Sequence, residues 1–120
     1  MLTVIGYVLA VLLDVLIMWI GIQFFVRPVA AATGYGVPAS PNAYLTIKGV
    51  RDFTYGVLGL VVLLAVGLHA EAWFMLVVGF APVADMVIVL RRGGPKATAY
   101  GVHLGTALVM FATSAVLFLA

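Results

Sequence analysis

Residues 44–68 read YLTIKGVRDFTYGVLGLVVLLAVGL. As a helix this stretch rises about 37 Å at 1.5 Å per residue, enough to cross roughly 30 Å of hydrocarbon. Its second half carries no charge, whereas its first half holds Lys48, Arg51 and Asp52. An ionisable group in hydrocarbon costs several kcal/mol unless it is paired, hydrated or turned toward a protein interior. Lys48 and Asp52 are four residues apart, Asp52 and Tyr55 three, and Arg51 and Tyr55 four. Cation, carboxylate and phenol therefore adjoin on one helical surface.

Outward from this stretch, three more segments have spanning length, near residues 2–26, 72–90 and 99–119. Hydrophobic residues make up 66% of the 120 positions and charged ones 8%, with a mean hydropathy of +1.28, which sets the chain outside the soluble globular class. The expected fold is all-α, an integral membrane four-helix bundle forming one domain over residues 1–120. Turn chemistry marks the breaks. Arg27-Pro28 is followed by Gly34, Gly36, Pro38 and Pro41, then comes the short His69-Ala70-Glu71, then Arg91-Arg92-Gly93-Gly94-Pro95-Lys96. The first segment makes a poor signal peptide, since it lacks a basic start and contains Asp14. With no cysteine, thiolate metal sites and thiol catalysis are excluded.

Every Lys and Arg, namely Arg27, Lys48, Arg51, Arg91, Arg92 and Lys96, falls at or near loops 27–43 and 91–98. The opposite face has only the α-amino group, His69 and Glu71. By the positive-inside rule both loops are expected to be cytoplasmic and both termini external, in a multi-pass protein of the plasma membrane. This asymmetry also argues against inverted dual topology.

Depth sorts the remaining ionisable groups. From the helical rise, Asp52 lies about 9 to 12 Å inside the second helix, Asp85 about 9 Å inward of Arg91, and His103 about 6 to 10 Å inside the fourth helix. These three share a level and are the candidate catalytic residues. Asp14 lies deeper, about 20 Å from Arg27, as a candidate floor of the site. Lys48, Arg51, Tyr55, Asp14 and Tyr100 are the candidate ligand-binding residues, with Tyr100, His103 and Thr106 spaced three apart on one face. The competing interpretation has Lys48 and Arg51 snorkel to lipid headgroups and merely neutralise Asp52. Pro82 removes a backbone donor three residues before Asp85. Gly56, Gly59, Gly101 and Gly105 offer small surfaces for ordinary helix packing.

Several classes drop out. Thr33-Gly34-Tyr35-Gly36 is close to a potassium-filter motif, but it lacks the valine and a pore helix. Phosphate-binding loop, serine-triad and zinc-ligand spacings are missing, so neither cofactor nor metal is expected. The basic balance follows from topology and calls for no nucleic acid.

The succession Arg27-Pro28, Gly34-Tyr35-Gly36-Val37-Pro38, Ala43-Tyr44, Lys48-Gly49-Val50-Arg51-Asp52, Pro82-Val83-Ala84-Asp85 and His103 resembles a family of small four-helix membrane proteins known as domain of unknown function 4267. A more distant similarity is to DoxX-like proteins. The resemblance implies that these polar positions are the family's signature and that the fold is four-helical; it implies no activity. From the residues themselves, the expected function is binding of a lipophilic small molecule in a polar intramembrane pocket, with acid-base chemistry of an isomerase, cyclase or hydrolase. Asp52 or Asp85 would be the base, His103 or Tyr55 the proton donor, and Arg51 and Lys48 the holders of negative charge. The alternatives are a non-catalytic accessory subunit of a larger membrane complex and a small proton-coupled transporter. The expected partners are the lipid bilayer, the lipophilic molecule, and a second copy or a larger complex.

Overall fold

The computed structural model describes residues 1–38 and 42–120. The expected loop residue Pro41 lies outside the described residues. The described chain is helical, without strands, and four of its helices are long and apolar enough to cross a membrane: α1 (Leu2–Val26), α3 (Ala43–Val66), α4 (Leu68–Arg91) and α5 (Thr98–Leu119). The molecule is 43 Å long, matching a bilayer of about 40 to 45 Å with its headgroups.

The region expected as a Gly/Pro loop contains a fifth, short helix, α2 (Pro28–Tyr35). Pro28 is its first residue, where a missing N–H costs nothing and the fixed φ favours a helix, and the alanines after it propagate the turn. Gly36 ends it in the left-handed region at φ 85°. The Gly36 N–H donates to Thr33 O and the Val37 N–H to Ala32 O, each at 3.1 Å, which is a Schellman stop. Farther on, the Asn42 side chain accepts from the Tyr44 and Leu45 N–H groups and so opens α3.

The third span begins at Leu68, four residues earlier than expected. Gly67, at φ 129°, reverses the chain by itself, and its N–H closes a wide last turn of α3 onto Val62 O at 2.9 Å. His69 and Glu71 are thus helical rather than connecting residues. Within α4 the helix is briefly interrupted at Gly79, just before Pro82 withholds the donor that would return to the Val78 carbonyl. The start of α5, Thr98–Leu104, is π-wound.

α1 and α3 make the most intimate contact. A side-chain carbon at Gly21 would sit 2.5 Å from Phe53 N and 2.7 Å from Gly49 O, so only hydrogen lets these backbones meet. Gly56 and Gly59 face α1 in the same way, whereas Gly101 has open space around it and does not serve packing within the chain. α4 lies along α5, and α1 also packs on α5, which places the spans in the order α3, α1, α5, α4. α3 and α4 therefore come together chiefly at the Gly67 turn, and the short α2 touches both α3 and the start of α5 at the opposite end.

Candidate functional site

Between the spans lies a cavity of about 430 Å³. Leu16, Ile17 and Ile20 of α1, with Phe74 and Val78 of α4, make its middle apolar. Tyr35, Lys48, Asp52, Asp85 and His103 gather at the end nearer α2, and Asp14 lines it deeper in. Asp52, Asp85 and His103 thus face one space from three different helices.

Tyr35 organises that end. As the last residue of α2, its carbonyl would lack a partner within the helix, and His103 Nε2 donates to it at 2.8 Å. A carbonyl oxygen can only accept, so Nε2 of His103 carries a proton. Its phenol donates to Asp85 Oδ2. The ring packs edge-on against Phe24 and His103, with centroids 5.7 and 4.3 Å away. Burial first, then the negative charges of Asp85 and Asp52, push the Tyr35 phenol well above its ordinary range, so it stays a donor.

Lys48 and Asp52 form an ion pair at 2.8 Å, the one such pair among the described residues. The Lys48 ammonium also stands over the faces of Tyr35 and Phe24, 4.2 and 5.0 Å from their centroids. The cation is therefore held inward by a carboxylate and two rings rather than stretching to headgroups. Its side chain is 28% exposed and that of Asp52 12%.

Two expected ligand-binding residues stand elsewhere. Arg51 is exposed and, among the described residues, forms no ion pair, because a residue beside Asp52 points about 100° away around the helix while Lys48, four residues off, shares its face. Tyr100 is exposed and does not line the cavity. It lies in the π-wound turn, where a spacing of three no longer keeps side chains on the face of His103. Tyr55 lines the cavity while half of it remains exposed. Among the described residues, no group of three His, Asp or Glu stands close enough to hold a metal ion.

Sequence reasoning missed Tyr35 and Glu71 as interior groups. A signal for Tyr35 was present, since Pro28, a run of alanines and then Tyr35-Gly36 is the start and stop pattern of a short helix. Glu71 is fully buried, and its carboxyl neighbours that of Asp14.

The family model described as Domain of unknown function (DUF4267) matches residues 15–117, which takes in every group of the cluster around Tyr35 and stops one residue short of Asp14. No curated protein and no solved structure matches the chain.

Proposed function

The chain belongs to the DUF4267 family, and from that premise we propose that it binds a lipophilic small molecule with one polar end and acts on it by acid-base chemistry. The observation that carries this reading is a mostly apolar cavity with its polar groups gathered at one end. Concave, largely apolar sites with a few convergent polar groups are where small molecules bind. The apolar body of the ligand would lie along Leu16, Ile17 and Val78, and its polar end against Lys48, Asp85 and Tyr35.

Roles follow from the hydrogen bonds. Lys48 neutralises Asp52, so Asp85 is the carboxylate better suited to take a proton and to return it, while the Tyr35 phenol keeps its own proton and orients Asp85. Lys48 is placed to hold developing negative charge. His103 acts by fixing the Tyr35 backbone, since its Nε2 proton is committed there. The gap between α3 and α4 offers a way in from the bilayer, with the polar end on the cytoplasmic side of the plasma membrane as the basic loops direct.

A second reading rests on the same pairs. Lys48 with Asp52 and Tyr35 with Asp85 are already partnered, as they would be in a non-catalytic accessory subunit of a larger membrane complex.

Asp52→Asn and Asp85→Asn keep volume and hydrogen-bonding capacity, so they separate the two readings. If acid-base chemistry is the role, Asp85→Asn leaves a folded protein that loses its cellular phenotype, and mass spectrometry of extracts finds a lipophilic compound retained by the parent protein. Well-folded protein with a normal phenotype for both variants, and no retained compound, would sink the catalytic reading and leave the accessory role.

A further inference from the structure

Asp14 and Glu71 take no part in the cluster around Tyr35. They are 1% and 0% exposed, and their carboxyl groups are close enough across α1 and α4 to act on one another. No N–H or O–H donor reaches Asp14 Oδ2 or either oxygen of Glu71. No Lys, Arg or His forms an ion pair with them among the described residues. α3 meets Asp14 with Gly56 at its backbone and Gly59 at its carboxylate, where any side-chain carbon would collide, so the helix leaves room for that group and, among the described residues, pairs no cation with it. From α5 comes Ser114, whose hydroxyl donates at 2.7 Å to the carbonyl of Ala72, the residue after Glu71. Asp14 also lines the cavity, whereas Glu71 does not.

Two neighbouring buried carboxylates in an apolar bundle would bear both a desolvation cost and their mutual repulsion, with no cation paired to offset either. A single proton between them removes one charge and satisfies an oxygen on each side. We propose that Asp14 and Glu71 form a second site, a carboxyl pair that holds a proton and exchanges it with the cavity through Asp14. The exchange is simple: the pair passes between one acid with one carboxylate and two acids, and the proton moves to or from cavity water or a basic group on an occupant. The inference stands on this pair alone and survives if the cluster around Tyr35 carries no chemistry.

The test uses the full chain in detergent micelles. Infrared spectroscopy of the parent protein at neutral pH should show a carboxylic acid carbonyl band that shifts in heavy water, and the band should weaken in both Asp14→Asn and Glu71→Gln but persist in Asp52→Asn. Dicyclohexylcarbodiimide, which reacts with protonated carboxyls in apolar surroundings, should label the pair, at Asp14 or Glu71, as read by peptide mass spectrometry. Asp14→Asn removes the repulsion that keeps a proton on Glu71, so labelling of Glu71 at a mildly alkaline pH should fall about tenfold. A parent protein with no such band or label overturns the proposal without recourse to any variant. So does Glu71 labelling that Asp14→Asn leaves unchanged, since the proton would then belong to Glu71 by itself.

Discussion

Tyr35→Phe deletes one hydroxyl and retains the ring, so the contacts with Phe24, His103 and Lys48 persist, as does the carbonyl that accepts from His103. What disappears is the phenol's bond to Asp85. A hydrogen bond to a charged acceptor is worth about 1.5 to 3 kcal/mol, and that is the expected loss of stability at neutral pH. Alkaline pH supplies an independent check. Because the folded protein holds the Tyr35 proton above its ordinary value of 10.0, the unfolded chain releases that proton first as pH rises. Below 10 the bond contributes fully. Above it the unfolded state binds fewer protons, and the parent protein loses about 1.4 kcal/mol per pH unit relative to Tyr35→Phe. The two stability curves should therefore meet about one to two units above 10. Denaturant unfolding in a mild detergent, from neutral to about pH 12, measures the gap, and phenolate absorbance follows the ionisation. Parallel curves across that range would refute the assignment of Tyr35 as a buried donor to Asp85.

Gly21→Ala should destabilise the protein by about 1 to 3 kcal/mol through overpacking against Phe53 and Gly49, even though alanine favours a helix by about 1 kcal/mol. Gly101→Ala, in open space, should be neutral or stabilising, and thermal unfolding of the pair checks both. For orientation, Ala97→Cys should resist an impermeant thiol reagent in intact cells and His69→Cys should react; the reverse pattern would overturn the cytoplasmic assignment of the basic loops. Ala97 suits this test better than Gly94, where a side chain would press on the Gly36 carbonyl.

The four spans were legible because hydrocarbon imposes a length and an apolar composition that no other environment demands. The common level of Asp52, Asp85 and His103 was legible from the helical rise alone, and all three line the cavity. Direction around the helix was harder. Arg51 and Lys48 are equally basic neighbours of Asp52, and only the angle between adjacent residues assigns the ion pair to Lys48. Tyr100 was misplaced because π-winding leaves no trace in hydrophobic spacing. Glu71 was hidden by its position beside Gly67, where a turn was expected to run on for several residues and in fact closes in one. Function lay furthest from view, since a structural pairing and an acid-base site would use the same groups and the same atoms.

The one-residue joint at Gly67 also bears on how the protein reaches the bilayer. With a single residue between α3 and α4, there is no hydrophilic segment to pull across ahead of the second helix, so the two enter as a hairpin. Glu71 then travels at the tip of that hairpin, where an acidic side chain alone in lipid would raise the cost of insertion by a few kcal/mol. α1 precedes this hairpin in the chain and carries Asp14 at the place where Glu71 comes to rest. Insertion of the second half would thereby carry Glu71 up to a first helix already in place, so that the carboxyl pair is assembled as the hairpin enters.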